Sequence, residues 1–280
     1  MPNVESLSAA HTHLSSASSP TILVLDSGVG GLSVCQSILG LMPAVRVVYL
    51  ADDARFAYGL LSSEDLTERL VQLTERMLAE HQPSLVVLAC NTVSTLLLPT
   101  LRERFDVPFV GVVPAIKPAA ELSKTRVIGL LATPATVLRP YTDELIRSFA
   151  PDCKVLKLGS RELVVMAENY LLGEDVSLGD LEQSIALLIA EEQLDVVVLG
   201  CTHFPLLRSQ LEVLLPKAVL IDSGAAIARR VQHLLGSLSE NSASEPSHLI
   251  YFTRTIPSQA GFGDHLKALG ICQHELRLLA

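Results

Sequence analysis

The chain has 280 residues, and 49% of them are apolar, so it can bury two α/β cores or one large one. Its net charge of −9 argues against nucleic acid and anionic membrane surfaces as partners, because both bind clusters of Lys and Arg. No apolar run approaches the roughly 18 residues of a membrane-spanning helix, and no Cys/His spacing predicts a metal site. The five cysteines occur without a secretory signature, which predicts reduced thiols and a cytoplasmic location.

The first 20 residues are rich in Ser, Ala and His and contain no Lys or Arg, so they lack the basic start of a signal peptide. They are predicted to form a flexible or loosely docked extension. Thr21–Asp26 is short, apolar and β-branched, which predicts a buried parallel strand. The glycine-rich segment Ser27–Ser33 then leads into a helix, and both a tight turn and an anion site remain open there.

A polar segment follows the second predicted strand. The strand covers Val45–Leu50, and Ala51–Gly59 then lies at the carboxyl edge of the sheet, where α/β proteins bind ligands. The next helix, Ser62–Glu80, ends before Pro83 and carries its apolar residues on one face, which predicts that this face is buried. Those residues are Leu66, Leu70, Leu73 and Met77.

Cys90 ends the third predicted strand, Leu85–Ala89. A helix over Val93–Phe105 and a strand over Val107–Val112 follow. The next segment, Val113–Pro118, has a proline on each side of its lysine, which is typical of a crossing point between domains.

The second half of the chain repeats the order of the first. A strand over Arg126–Ala132 ends at a strand-to-helix turn that begins with Thr133. Cys90 follows Asp26 by 64 positions, and Cys201 follows Thr133 by 68. This spacing predicts two structurally related halves.

The other predicted elements complete the second half and return the chain to the first. They are a strand (Val155–Leu158), a helix carrying Glu162 and Glu168, a long amphipathic helix to about Glu192, strands Asp195–Leu199 and Val219–Ile221, a helix capped by Asp222–Gly224 and reaching about Leu238, a polar loop (241–247), a strand (Leu249–Thr253) and a final helix with Leu266 and Leu269.

This order of elements predicts an α/β protein with two pseudo-symmetric domains, mostly parallel central sheets and an active site in the interdomain cleft. The predicted boundaries are 1–20 for the extension, 21–113 plus 225–280 for the first domain, which holds Asp26 and Cys90, and 114–224 for the second, which holds Cys201 and His203.

Two cysteines at strand ends point to proton transfer. A thiol with a pKa of about 8.5 is a useful base near neutrality, and its thiolate is a stable product. Cys90 and Cys201 on opposite faces of a carbon could remove a proton from one side and return one from the other. That chemistry inverts a stereocentre without a cofactor, and Asp26 and His203 could set the two protonation states.

Plainer interpretations stand beside this one. A cysteine that ends a strand is usually a small buried hydrophobe, which is the interpretation of Cys35, Cys153 and Cys272. His203 could be a core histidine, and Asp26 could cap a helix. Short polar side chains near the two thiols could bind a carboxylate or an ammonium group; they are Ser27, Asn91, Thr92 and Thr202.

These residues together resemble the cofactor-independent glutamate racemases over residues 21–240. The segments that carry the resemblance are Asp26–Ser33 (DSGVGGLS), Tyr58–Gly59, Ala89–Thr92 (ACNT), Gly111–Ala119 (GVVPAIKPA) and Leu199–Leu207 (LGCTHFPLL). The resemblance implies racemisation of L-glutamate to D-glutamate for peptidoglycan biosynthesis, with no cofactor. The chain could act as a monomer or a homodimer.

The resemblance also implies roles for individual residues. Cys90 would take the proton from D-glutamate and Cys201 the proton from L-glutamate, with Asp26, His203 and Glu168 assisting. The implied substrate contacts are Asp26, Ser27, Tyr58, Gly59, Asn91, Thr92, Thr202 and His203. Segments 158–177 and 221–230 resemble the Gram-negative branch most, which implies activation by UDP-N-acetylmuramoyl-L-alanine.

Three alternatives remain open at this point. An aspartate or hydantoin racemase would use the same two thiols on another substrate. A hydrolase would use one cysteine as nucleophile, with His203 as its base. A non-catalytic binding module with two α/β lobes would exchange no Cα proton. Pyridoxal phosphate is disfavoured because no lysine lies in a comparable motif.

Overall fold

The computed structural model of the chain describes residues 19–56, Tyr58, residues 61–236 and residues 246–279. The predicted extension therefore lies almost wholly outside the described residues, as do Gly59 and most of the 241–247 loop. The strands are β1 (Thr21–Asp26), β2 (Arg46–Ala51), β3 (Leu85–Leu88), β4 (Phe109–Gly111), β5 (Val127–Ala132), β6 (Lys154–Gly159), β7 (Val196–Leu199), β8 (Val219–Ile221), β9 (His248–Phe252) and β10 (His274–Leu278).

The helices pack on both sides of these strands. They are α1 (Leu32–Leu41), α2 (Ser63–His81), α3 (Asn91–Arg104), α4 (Ile116–Leu122), α5 (Pro134–Val137), α6 (Pro140–Phe149), α7 (Glu162–Leu171), α8 (Leu178–Ser184), α9 (Ala186–Ile189), α10 (Arg208–Leu214), α11 (Gly224–Leu235) and α12 (Gln259–Ala268).

Within the described residues the strands form two sheets, and every pairing in both is parallel. The first sheet has the order β10-β9-β2-β1-β3-β4, and the second has the order β6-β5-β7-β8. The central strands are buried along their whole length because helices cover both faces. The predicted α/β class with mostly parallel sheets is confirmed, whereas the domain boundaries stay a prediction.

Helix α2 shows why the apolar pattern was informative. Ser62 caps it by accepting a hydrogen bond from the backbone of Asp65 at 3.1 Å. The four residues of the predicted apolar face are all buried. The helix ends at His81, and Gln82 adopts a left-handed φ of 45° before Pro83.

The prediction of one long amphipathic helix before β7 is wrong. This segment forms two short helices, α8 and α9, which are separated by non-helical backbone at Ile185 (φ −114°, ψ 14°). Helix α9 ends at Ile189. Leu181, Ile185 and Leu188 are nevertheless all buried. The apolar spacing therefore continues across a break that it cannot reveal.

Other differences concern where elements begin and which were missed. Helix α3 begins at Asn91, two residues earlier than predicted, so Asn91 and Thr92 form its first turn. The predicted crossing segment Val113–Pro118 contains the start of α4. Helix α6 and strand β10 were not predicted. Helix α11 packs against α1, which brings the chain back to the first sheet.

Candidate active site

A cavity of about 350 Å³ lies between residues of the two sheets, and both predicted thiols line it. Cys90 follows β3 in the first sheet, and Cys201 follows β7 in the second. The two thiols are 9% and 7% exposed, respectively, so each is largely shielded from water. The predicted residues that line the cavity are Ser27, Tyr58, Cys90, Asn91, Thr92, Cys201, Thr202 and His203.

Cys90 occupies the position just before helix α3. The sulfur makes no capping hydrogen bond, although the backbone N–H groups of Thr92 and Val93, in the first turn of that helix, favour its thiolate. Burial raises the pKa of the Cys90 thiol to about 12, and the nearby charge of Asp26 adds to the rise. The resting form of Cys90 is therefore the thiol, which is a proton donor.

Asp26 lies at the end of β1 and is 2% exposed. One of its oxygens accepts a hydrogen bond from the backbone of Ser27 at 2.6 Å, and the other accepts one from the Thr202 hydroxyl at 3.0 Å. Burial raises the pKa of this carboxyl. In the described part of the chain Asp26 makes no hydrogen bond to Cys90 and is not a lining residue, so it acts on that thiol through its charge.

Cys201, His203 and Glu168 form a chain of polar contacts. The Cys201 sulfur lies 3.8 Å from His203 Nδ1, and His203 Nε2 lies 2.7 Å from a Glu168 oxygen. Burial disfavours the charged imidazole, but the hydrogen bonds to Cys201 and Glu168 outweigh it and raise the pKa of His203 well above its ordinary value. A protonated His203 is the cation that a Cys201 thiolate requires.

Hydrogen bonds of the site residues also join the two lobes, each of which is one sheet with the helices that pack on it. Thr202 donates to Asp26, and its carbonyl oxygen accepts from the Ser33 hydroxyl at 2.8 Å. Glu168, on α7 beside the second sheet, accepts from the backbone N–H of Val29 with both oxygens at 3.3 Å. Glu168 does not line the cavity, so its contact with the thiols is indirect.

Sequence reasoning missed about half of the cavity wall. The missed residues are Phe56, Thr133, Pro134, Ala135, Arg161, Val164 and Val165. Three of them form the strand-to-helix turn after β5, whose position matches that of the turn after β1. Arg161, Val164 and Val165 lie on or beside the face of α7 that carries Glu168, and this shared face was the available signal.

The other cysteines are not all core residues. Cys35 is fully buried, as predicted. Cys153 is only partly buried and Cys272 is exposed, so the prediction of a buried hydrophobe is wrong for Cys272. Cys272 lies at the surface in the connection between α12 and β10, so it is not part of a buried strand.

Comparison with known proteins places this site in a family. The family model for Asp/Glu/hydantoin racemases matches residues 22–231. The chain belongs to the Asp/Glu/hydantoin racemase family. All of the residues that line the cavity of this racemase, including Cys90 and Cys201, lie within the matched segment.

Relatives within the family are similar over nearly the whole chain. A glutamate racemase from Pectobacterium atrosepticum is 48% identical over 270 residues, which cover 96% of this chain and 94% of the relative. A glutamate racemase from Salmonella typhimurium is 50% identical over 240 residues, or 85% of each chain. These relatives are isomerases that act on glutamate.

Solved racemase structures agree in fold. Escherichia coli glutamate racemase, in complex with L-glutamate and the activator UDP-MurNAc-Ala, matches with a TM-score of 0.85 at 45% identity, covering 94% of this chain and 98% of that one. A glutamate racemase isoform from Bacillus anthracis matches with a TM-score of 0.78 at 27% identity, with the same coverage. Among the described residues, no helix is long and apolar enough to cross a bilayer.

Proposed function

We propose that the protein interconverts L- and D-glutamate by a two-base mechanism in which Cys90 and Cys201 are the acid and the base. The observation that carries this proposal is the pair of shielded thiols that reach one cavity from two different sheets. The two sulfurs are close enough for the charge on Cys201 to raise the pKa of Cys90, after the larger effects of burial and Asp26. A cavity of about 350 Å³ suits a small amino acid.

The protonation states of the two cysteines determine which enantiomer the enzyme can react with. With Cys201 as thiolate and Cys90 as thiol, Cys201 removes the α-proton of L-glutamate. The carbanion then takes a proton from Cys90 on its opposite face, which gives D-glutamate, a Cys201 thiol and a Cys90 thiolate. The reverse reaction begins from this second form, so one proton moves across the site in each turnover.

Neighbouring groups favour the first of these forms. The raised pKa of His203 supports an imidazolium beside Cys201, and Glu168 balances that charge from the far side of the ring. Cys90, with its pKa of about 12, holds its proton until a carbanion is formed. Asp26 disfavours a thiolate on Cys90, so it keeps Cys90 protonated in the first form and makes the Cys90 thiolate of the second form a stronger base toward D-glutamate.

Substrate binding is assigned to the polar groups of the cavity wall. Ser27, Tyr58, Asn91, Thr92 and Thr202 line the cavity and can bind carboxylate and ammonium groups. The hydroxyls of Tyr58 and Thr202 already donate to Asp52 and Asp26, so they are available to the substrate as acceptors. The start of α3, where Asn91 and Thr92 lie, places free N–H groups beside the cavity, which favours a carboxylate. Gly59 is assigned by resemblance alone.

The relatives support the choice of substrate and regulation. They are named glutamate racemases, and the E. coli enzyme binds L-glutamate and an activator. We therefore assign glutamate as the substrate, peptidoglycan biosynthesis in the cytoplasm as the role, and UDP-N-acetylmuramoyl-L-alanine as an activator of this chain. Saturating activator should raise the turnover of the purified enzyme, and an unchanged turnover would remove the regulatory part of the proposal.

Proton NMR in D₂O tests the reaction directly. With purified protein and no added cofactor, both enantiomers of glutamate should lose the Cα proton signal and become racemic. Cys90→Ser and Cys201→Ser should each abolish racemisation, whereas Cys272→Ser, a change at an exposed thiol, should leave it intact. A single-cysteine hydrolase would survive one of the first two changes.

The same experiment separates the related substrates. Exchange with aspartate or a hydantoin, and none with glutamate in the presence of the activator, would keep the two-thiol chemistry and replace the substrate. Exchange with none of these compounds would overturn the proposal as a whole.

A further inference from the structure

Outside the two-thiol chemistry, a partly buried ion pair lies behind Tyr58, a residue of the cavity wall. Asp52 follows β2 and is 1% exposed, and Arg69 reaches it from α2. The guanidinium makes a bidentate contact, with Nη2 at 2.7 Å from one carboxylate oxygen and Nε at 3.1 Å from the other. A bidentate fork fixes both partners in orientation as well as in distance.

The same carboxylate holds the Tyr58 side chain. The Tyr58 hydroxyl donates to Asp52 at 2.9 Å, and the Thr253 hydroxyl donates to the other Asp52 oxygen at 2.7 Å. Each oxygen of Asp52 therefore accepts two hydrogen bonds from side chains. Tyr58 lines the cavity with Cys90 and is 4% exposed. Burial, together with the Asp52 charge, raises the pKa of Tyr58, so its hydroxyl stays a donor.

A second carboxylate anchors the segment from which Asp52 projects. Asp53 accepts from the backbone N–H groups of Thr253 and Arg254, both at 2.8 Å, and of Thr255 at 3.1 Å. The turn after β2 is thereby tied to the loop after β9. Asp52 is therefore fixed by the backbone of this turn and by Arg69, without any contact from the substrate.

We propose that Asp52 and Arg69 are positioning residues for racemisation, which act by fixing the Tyr58 side chain in the cavity wall beside Cys90. The inference rests on the proposed function, because Tyr58 is one of the residues assigned to substrate binding. Neither Asp52 nor Arg69 lines the cavity, so neither touches the substrate. Without Arg69, the buried Asp52 carboxylate would lose the fork that orients it, and Tyr58 would lose a fixed acceptor.

A double-mutant cycle on kcat/KM tests whether Arg69 acts through the Tyr58 hydroxyl. Arg69→Gln should lower kcat/KM by about tenfold or more, mainly through a higher KM. In a Tyr58→Phe background the same change should cost about twofold or less, because the hydroxyl that it orients is gone. Arg69→Lys should recover only part of the loss, since lysine restores the charge but not the fork.

The matched control is a second arginine fork, on strand β10 of the first sheet. Arg277 contacts both oxygens of Glu275 at 2.9 Å and the Tyr251 hydroxyl at 3.1 Å, and none of these residues lines the cavity. Arg277→Gln should leave kcat/KM within about twofold of wild type. An equal loss in both arginine variants would mean a general effect on the fold.

A readout without glutamate separates this inference from the proposed function. The chain has five tyrosines, so labelling with ¹³Cζ-tyrosine gives few signals, and Tyr58→Phe identifies the Tyr58 signal by its loss. Arg69→Gln should shift or broaden that signal, and Arg277→Gln should not. If Arg69→Gln fails to fold, Asp52→Asn/Arg69→Gln removes both charges together and should show the same shift.

Each outcome is decisive. A displaced Tyr58 signal in an enzyme that never racemises glutamate would refute the proposed function and keep the positioning of Tyr58. Normal racemisation in wild type, with an unchanged Tyr58 signal and additive losses in the cycle, would overturn the inference.

Discussion

Replacement of Glu168 by Gln tests the contact that sets the charge of His203. The carboxylate oxygen lies 2.7 Å from His203 Nε2, and the imidazole is 2% exposed, so water screens this pair little. A charge-assisted hydrogen bond contributes about 1.5–3 kcal/mol, so its loss should lower kcat/KM about 10- to 150-fold. Glutamine keeps the size and can still accept a hydrogen bond from Val29.

The equilibrium between enantiomers makes this prediction sharper. L- and D-glutamate have equal free energies in water, so any variant must lower kcat/KM equally in the two directions. A defect beside Cys201 therefore shows itself in the isotope effect and not in the ratio of rates. Glu168→Gln slows the proton transfer between Cys201 and Cα, so the deuterium isotope effect on kcat/KM should be larger with α-deuterated L-glutamate than with the D-enantiomer.

The assay is circular dichroism of glutamate, followed from each enantiomer with and without α-deuterium. Glu162→Gln is the matched control, because Glu162 is an exposed carboxylate on the same helix whose side chain accepts from Ser160 at 2.9 Å. Equal isotope effects from both sides, or a loss no greater than in the control, would refute the assignment of Glu168 to the Cys201 side.

The same variant has a defined pH signature. The folded pKa of His203 is raised, so its contribution to stability is complete below the unfolded pKa of about 6.5 and is lost as pH rises through the folded value. The difference in unfolding free energy between wild type and Glu168→Gln should therefore shrink as pH rises. NMR titration of the His203 ring should also show a lower midpoint in the variant.

Other changes probe the space around the site. Gly30→Ala should abolish activity because its Cβ would overlap the His203 ring, whereas Gly40→Ala on α1 meets nothing within 4 Å and should stabilise the fold by about 0.5–1 kcal/mol in thermal unfolding. Leu70→Ala should cost about 2–5 kcal/mol in urea unfolding because Leu70 is 2% exposed. The exposed Cys272 should give the fastest phase of thiol labelling, which Cys272→Ser should remove.

Strands were predictable where their burial is complete. The four residues of β3 and the four of β7 are all buried, and a run of Leu and Val with no polar residue has few other places in an α/β fold. Strand β10 was missed because it reads His-Glu-Leu-Arg-Leu and lies at a partly exposed sheet edge, where polar residues are tolerated. A strand is therefore predictable from its sequence only where its burial imposes an apolar pattern.

The residues of the candidate site also differ in how far the sequence could predict them. Cys90 and Cys201 were predicted because parallel strands have their carboxyl ends at one edge of a sheet. Thr133, Pro134 and Ala135 follow β5 at the same edge but carry no group that suggested chemistry. Arg161 and Val164 were missed because they belong to a helix whose rotation about its own axis decides which side chains reach the cavity. The Asp52–Arg69 pair joins positions 17 residues apart on different elements, and no local pattern marks it.

The contact between Glu168 and Val29 makes the proton chemistry depend on the shape of the cleft. Glu168 orients His203 from the second lobe, but both of its oxygens are also held by a backbone N–H of the first. Any separation of the lobes that breaks the Val29 contact would leave the carboxylate in contact with His203, which lies on the same lobe. The alignment of the group that raises the pKa of His203 is therefore determined by both lobes together.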